Sequence, residues 1–259
     1  MMSFLDHLSE LATRLKRSLI AFIIAFAAIS TIPDPTHPFG GTHSLFGYNF
    51  LLIALIDRAA NAYLPGYQLI VVSGTDPIFA FLDTSMVLAL VISLPYIFHE
   101  IYGFIAPGLY AKERRAVRKY ILPFAGLFAI GGLFGLFVVF PIVMHIILVF
   151  FGAFGNIAQL FPLNSFVDFL LLVPFLTGLA FTFPVFIIPL VELRIIEVKQ
   201  LTASRKWVYL LVALIVGLVD PDPTFISVIP IIIPIYILFE ITVFLSKRIE
   251  KNRLAKAVA

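Results

Sequence analysis

Long runs of apolar residues decide what this chain can fold into. Residues 124–151 contain no Asp, Glu, Lys or Arg, and this run exceeds the ~18 residues that suggest a membrane-spanning helix. Because lipid offers no partner to a backbone amide, only helices or a closed barrel can cross a bilayer. Barrel strands alternate apolar and polar residues, and these runs do not. The sequence therefore predicts a helical membrane protein.

The composition agrees with this class. Hydrophobic residues make up 61% of the 259 residues and charged residues 13%, about half the charged fraction of a typical soluble domain. The chain contains no cysteine, which excludes disulfides and thiol catalysis. The first apolar run follows a charged segment and lacks a small-residue cleavage site, so we expect no cleavable signal peptide.

Six apolar segments predict an all-α fold, a single polytopic membrane domain over residues 1–259. The predicted transmembrane helices cover residues 18–32, 78–102, 120–151, 166–191, 207–219 and 225–245. Prolines inside them predict kinked helices and a cupped bundle. The fifth segment would span only about 20 Å, which indicates a locally thinned bilayer, a water-filled concavity beside it or misplaced helix ends. Residues 49–63 predict a short helix at the outer surface.

The basic residues set the orientation. Of the 18 Lys and Arg residues, all except Arg58 fall on one side of the predicted membrane, which the positive-inside rule identifies as cytoplasmic. Both termini are therefore predicted to be cytoplasmic. The net charge of +3 then reflects topology, and we expect no nucleic-acid partner.

The sequence contains no complete hydrolase motif. His99-Glu100 begins the zinc motif His-Glu-x-x-His, but Gly103 occupies the position of the second histidine. Asp220 and Asp222 fall in a proline-rich turn that we expect outside the membrane. We therefore expect no enzyme, no bound metal and no cofactor, and an intramembrane protease is disfavoured.

Acidic residues within the predicted spans are functional candidates, because charge in lipid is costly. Glu240 falls well inside the sixth span and Glu100 near the cytoplasmic end of the second, whereas Asp83 and Asp168 fall near the outer face. A structural hydrogen bond between helices is the simpler interpretation of Glu240. A proton-coupled small-solute transporter is the alternative function, although the third and fifth spans offer no acid for a relay. A ligand-free assembly scaffold is a further alternative.

Two cytoplasmic segments carry motifs. Residues 3–16 predict an amphipathic helix with polar residues Asp6, Glu10 and Arg14; an interfacial anchor is the simpler interpretation and is compatible with function. Its apolar face comprises Phe4, Leu5, Leu8, Leu11 and Leu15. In the loop after the second span, Glu113 lies within a basic cluster, for which a solvated, salt-bridged loop is the simpler interpretation.

These motifs resemble those of the TatC family of twin-arginine protein translocases. The loop matches the family signature at Phe104, Pro107, Leu109, Glu113 and Arg114, and the N-terminal motif at His7-Leu8, Glu10-Leu11 and Arg14-Leu15. The family's Phe-Pro appears as Phe140-Pro141, and its Pro-x-Tyr-x-Leu-Phe-Glu as Pro234, Tyr236 and Leu238-Phe239-Glu240. The motifs recur in order over nearly the whole chain.

The resemblance implies a core receptor and translocase subunit that binds twin-arginine signal peptides at the cytoplasmic face. With single-span TatA- and TatB-type subunits it would move folded proteins across a prokaryotic cytoplasmic membrane, driven by the proton-motive force. Self-association is a further expectation. The resemblance implies Glu10 and Glu113 as the twin-arginine site, with Phe104 and Arg14 beside them. Guanidinium pairs bidentately with carboxylate, and lysine lacks this geometry.

Three positions depart from the family pattern. Ala12 replaces a usual arginine, Asp83 replaces a common basic residue, and Thr182 replaces a glutamate that many bacterial members carry in the fourth span. Thr182 can still donate a hydrogen bond. We therefore expect Glu240, Thr182 and Glu100 to be the functional polar residues within the membrane.

Overall fold

Helices account for nearly all of the structure, a computed structural model that describes residues 4–36, 49–106, 119–153, 160–219 and 228–258. The helices are α1 (Phe4–Thr31), α2 (Leu51–Tyr63), α3 (Asp76–Ile105), α4 (Ile121–Phe134), α5 (Phe140–Gly152), α6 (Leu163–Phe181), α7 (Phe183–Glu192), α8 (Val198–Ala203), α9 (Arg205–Val219) and α10 (Val228–Val258). A π-helix, Gly135–Val139, joins α4 to α5. Strands β1 (Gln68–Ile70) and β2 (Leu160–Pro162) pair in parallel.

Among the described residues, three helical segments are long and apolar enough to cross a membrane: Asp76–Phe104, Ile121–Gly152 and Leu163–Glu192. They coincide with the predicted second, third and fourth spans. Only 28%, 28% and 33% of the residues in their most apolar 18-residue stretches are buried within the protein, so most of these side chains are at least partly accessible, as lipid contact requires. Helices α1, α9 and α10 cover the other three predicted spans, and the total of six spans stays a prediction.

Helix α1 runs without a break through both the predicted amphipathic segment and the predicted first span. Its residues Leu8, Leu11 and Leu15 are exposed, whereas Arg14 contacts Glu100 of α3. The polar side of α1 therefore packs inward and its leucine side faces outward. This orientation suits a helix at a lipid interface and not one on a water-soluble protein.

The chain divides into two compact units. The first comprises Met1–Pro107 and Leu148–Phe175; within it α1 and α2 pack on α3, around a core that includes Ile29, Leu52 and Ala89. The second comprises Gly108–Ile147 and Leu176–Ala259; within it α10 packs on α7, α8 and α9, around Leu201, Phe239 and Val243. The single domain over residues 1–259 stays a prediction.

Two helix irregularities adjoin prolines. Pro141 has no N–H to donate four residues back, and directly before it Phe140 donates to the Gly135 carbonyl, five residues back. Pro184 follows the break at Thr182 between α6 and α7. Proline thus interrupts the third and fourth predicted spans locally, whereas kinks elsewhere and a cupped bundle stay predictions.

Glycines let α4 and α6 approach closely. A Cβ added to Gly131 would lie 2.5 Å from Cβ of Phe181 and 2.9 Å from Cα of Gly178. Close approach at small residues is how helices associate in lipid, where no hydrophobic force drives them together.

A polar cluster ties the end of α1 to α2. The Arg58 Nη2 atom donates to Asp34 Oδ1 at 3.1 Å and to Thr36 Oγ1 at 2.8 Å. The backbone of Leu51 donates to the Ile32 carbonyl at 3.0 Å. Hydrogen bonds from the backbone and side chain of Thr36, with a smaller contribution from Arg58, hold the pKa of Asp34 below its ordinary value. Arg58, the only basic residue predicted on the outer side, therefore has a structural partner there.

We expect Gly131→Ala to lower the melting temperature of the purified protein, because the methyl group would force α4 and α6 apart. Overpacking of this kind costs about 1–3 kcal/mol. Gly126→Ala is the matched control: nothing lies within 4 Å of its added Cβ, so the melting temperature should hold or rise. Equal effects of the two substitutions would contradict the close α4–α6 contact.

Asp34→Asn should destabilise the protein only at pH values at which Asp34 is ionised in the native state. Because its pKa is lowered in the fold, its contribution is fully present above the ordinary value of 3.8 and is lost as the pH falls through the lower native pKa. The difference in melting temperature between wild type and Asp34→Asn should therefore be constant from pH 7 to about pH 4 and shrink below that. A difference that stays constant down to pH 2 would disprove the ionic contribution.

Candidate functional site

Helices α1 and α3 bring three charged side chains together, a set that we call the α1–α3 cluster: Glu10, Arg14 and Glu100. Glu10 and Arg14 are four residues apart and therefore share one face of α1. The Arg14 Nε and Nη2 atoms donate to Glu10 Oε1 at 3.0 and 2.7 Å. Its Nη1 atom donates to Glu100 Oε2 at 3.1 Å. One guanidinium thus bridges two carboxylates, and the cluster keeps a net charge of about −1.

The cluster is partly shielded from solvent. The Glu100 side chain is 6% exposed, that of Glu10 21% and that of Arg14 23%. A carboxylate as buried as Glu100 requires a cationic or hydrogen-bonding partner, and it has both, because the Tyr96 hydroxyl also donates to it. The hydrogen bond with Glu10 raises the pKa of Arg14 despite the opposing effect of burial, and Glu100 adds to this increase. Arg14 therefore remains charged.

One carboxylate oxygen in the cluster has no hydrogen-bond partner among the described residues. Glu10 Oε2 is buried and has no hydrogen-bond partner in the part of the chain that the structure describes. Buried polar atoms are almost always satisfied, and an unsatisfied one calls for an explanation. A free acceptor on a net anionic cluster is a place where a further cationic donor can bind.

Two α3 residues border the cluster. A Cβ added to Gly103 would lie 2.2 Å from Arg14 Nη1, so the guanidinium occupies space that only glycine leaves free. The Phe104 ring stacks on that of His7, with centroids 4.4 Å apart and planes at 20°. The sequence identified Phe104 by resemblance but treated Gly103 only as a missing zinc ligand. Glu100 and Phe104 are four residues apart on α3 and therefore share one face of that helix. This spacing was the feature of the sequence that could have indicated that both residues border the same site.

Glu113 lies outside the described residues, as does the whole segment from residue 107 to 118. Where the description resumes, Lys119 Nζ pairs with Glu192 Oε1 at 2.7 Å, and the Tyr120 hydroxyl donates to Glu192 Oε2 at 3.0 Å. These contacts fix the start of α4 to the end of α7, directly after the segment that carries Glu113.

The other two predicted polar residues belong to the second unit and have internal partners. Glu240 Oε2 pairs with Arg205 Nη2 at 3.0 Å, and Glu240 Oε1 accepts a hydrogen bond from the Tyr209 hydroxyl. Thr182, at the break between α6 and α7, is fully buried and donates to the Leu179 carbonyl near the end of α6 at 2.6 Å. These contacts favour structural roles, whereas the functional roles expected of Glu240 and Thr182 stay predictions.

The described residues contain no group of three or more His, Asp or Glu side chains that could hold a metal ion. His99 and Glu100 lie next to each other on α3, but Glu100 is committed to Arg14 and Tyr96. The turn with Asp220 and Asp222 lies outside the described residues.

Known proteins resemble the chain over nearly its full length. The family model described as "Sec-independent protein translocase protein (TatC)" matches residues 6–234. A TatC of Azotobacter chroococcum is 32% identical, with 96% of this chain and 91% of that protein covered. The TatC of Escherichia coli K12 is 30% identical, with 94% and 87% covered.

A solved structure shares the fold as well. A crystal structure of the twin arginine translocase receptor TatC superimposes with a TM-score of 0.74 at 26% identity, covering 94% of this chain and 99% of that one. The family consists of translocase components and not of enzymes, which confirms the prediction that this chain is not an enzyme. The resemblance found in the sequence motifs is likewise confirmed. This chain belongs to the TatC family of Sec-independent protein translocase proteins.

Proposed function

We propose that this chain is the receptor subunit that binds twin-arginine signal peptides, through the α1–α3 cluster, at the cytoplasmic face of a prokaryotic cell membrane. The observation that carries the proposal is the unsatisfied Oε2 atom of Glu10, a side chain that is 21% exposed, in a cluster with one excess negative charge. A guanidinium supplies both the missing donor and the missing positive charge. The proposal is consistent with family membership and with a Tat translocase that contains further subunits.

Arginine suits this site better than lysine. A guanidinium can donate two hydrogen bonds to the one unsatisfied oxygen of Glu10, as Arg14 does to Oε1, whereas an ammonium acts as a compact point charge. Hydrogen bonds that involve charged groups contribute about 1.5–3 kcal/mol each. A single bidentate contact can therefore account for discrimination between the two side chains.

We assign the second arginine of the signal peptide to Glu113, in the segment that follows α3 in the sequence. Phe104 and His7, stacked together, offer an aromatic surface beside the cluster for the apolar part of the peptide or for the arginine stems. Arg14, which the sequence motif placed among the binding residues, acts in this proposal through Glu10 and Glu100 and not through direct contact with the cationic ligand.

The remaining parts of the proposed function follow the family. Six spans with both termini cytoplasmic would place the Glu10 and Glu113 segments on the cytoplasmic side, as the distribution of basic residues favours. Single-span TatA- and TatB-type subunits would join this chain, and the proton-motive force would drive the transport of folded cargo.

We expect Glu10→Gln to weaken binding of a twin-arginine peptide by about tenfold or more, because the charge-assisted pair is lost. Binding affinity would be measured by titrating a labelled peptide into the full-length protein in detergent, with a Lys-Lys peptide as the reference ligand. Glu250→Gln is the matched control, since Glu250 is an exposed acid on α10. Unchanged affinity in both Glu10→Gln and Glu113→Gln would remove the site assignment.

The topology can be tested with introduced cysteines, because the chain has none of its own. Glu250→Cys should react with a membrane-impermeant maleimide only after cells are permeabilised. Asn61→Cys, on the exposed side of α2, should react in intact cells once the reagent reaches the outer membrane face. The reverse pattern would place the peptide site on the outer side of the membrane and contradict the proposed function.

A further inference from the structure

The two edges of the Arg14 guanidinium are held by different helices. Its Nε and Nη2 atoms face Glu10 of α1, and both donate to the same oxygen, Oε1. Its Nη1 atom donates to Glu100 of α3 and lies against the Gly103 backbone, where a Cβ would approach within 2.2 Å. Helix α3 therefore offers Arg14 a binding position that does not depend on Glu10.

The charges explain why this position matters for a cationic ligand. With both acids ionised, Arg14 neutralises one negative charge and leaves the other uncompensated. Without the charge on Glu100, Arg14 and Glu10 would neutralise each other as an i,i+4 pair, and the cluster would no longer attract a cation. The Glu100 side chain is 6% exposed and already accepts from Arg14, whereas the Glu10 side chain is 21% exposed, so Glu10 is the more accessible of the two acids to an incoming peptide.

We infer that Glu100 is a positioning residue for the twin-arginine site, because it holds Arg14 on α3 and so keeps the Glu10 carboxylate available to the ligand. The inference rests on the proposed function and extends it to a residue outside the motifs that define the family resemblance. The ligand guanidinium pairs with the carboxylate of Glu10, whose side chain is 21% exposed, while Arg14 keeps its contact with Glu100. Gly103 contributes by leaving room for Nη1.

A purely structural role for Glu100 predicts a different result. If the Arg14–Glu100 pair only joined α1 to α3, Glu100→Gln would weaken this junction, and removing Arg14 as well would not restore peptide binding. If Glu100 keeps Arg14 from neutralising Glu10, removing Arg14 as well should restore binding, because the double variant Arg14→Gln/Glu100→Gln again has one excess negative charge at Glu10.

The test compares four full-length proteins in detergent: wild type, Glu100→Gln, Arg14→Gln/Glu100→Gln, and Glu250→Gln as the control. Peptide affinity is measured for a twin-arginine peptide and its Lys-Lys counterpart, and melting temperatures are recorded in parallel. We expect Glu100→Gln to bind the twin-arginine peptide about tenfold more weakly, a change of about 1.4 kcal/mol. The double variant should return to within about twofold of wild type, a difference of less than about 0.5 kcal/mol.

The inference would be overturned if Glu100→Gln bound the twin-arginine peptide with wild-type affinity, or if the double variant bound it as weakly as Glu100→Gln does. Either result would leave the proposed function intact. A wild-type protein that binds both peptides equally would instead overturn the proposed function, and this inference with it. Should Glu100→Gln fail to fold, Gly103→Ala replaces it, because the added methyl displaces Nη1 from Glu100 and leaves every charge in place. Wild-type affinity in folded Gly103→Ala would overturn the inference equally.

Discussion

The contact between Arg14 and the buried carboxylate of Glu100 is the interaction on which the proposed site depends. An ionised carboxylate with so little exposure is costly unless a cation pairs with it, and Arg14 meets this requirement from a different helix. The contact fixes how α1 lies against α3 and which edge of the guanidinium faces Glu10. The open acceptor on Glu10 is a consequence of that arrangement.

The same contact explains the unusual orientation of α1. Its polar residues Glu10 and Arg14 point toward α3, so Leu8, Leu11 and Leu15 are left on the outside. In water this arrangement would expose an apolar stripe without compensation, whereas at a bilayer surface the stripe enters the interface. A membrane environment and an inward-facing charged cluster therefore support each other.

Much of the fold could be predicted from the sequence because lipid imposes simple rules on helix length and charge. The second, third and fourth spans agree with the observed helices to within a few residues, and the apolar segment before Tyr63 does form a helix. The break at Thr182 and the π-helix at Gly135–Val139 were not located in advance. At both places a proline has no N–H to donate, so a nearby backbone carbonyl must accept from another donor. The periodicity of apolar residues in the sequence does not show which donor that is.

The site was predicted less completely than the fold. Family motifs identified Glu10, Arg14 and Phe104, but the bridge to Glu100 joins residues 86 positions apart, and no local pattern reveals such a contact. The role of Gly103 could not be predicted for the same reason, because this glycine leaves space for a side chain from another helix. For Glu240 the sequence left both a functional role and a structural hydrogen bond open; its contacts with Arg205 and Tyr209 favour the structural interpretation, and the functional role stays a prediction.

Photocrosslinking would test the central claim most directly. A twin-arginine peptide with a photoreactive group next to its arginines would be irradiated with the full-length protein, and the crosslinked residues mapped by mass spectrometry. The account predicts crosslinks on α1 and α3 around His7 and Phe104, and their loss when the arginines are replaced by lysines. Crosslinks that persist with the Lys-Lys peptide, or that fall around Tyr209 and Glu240 instead, would contradict it.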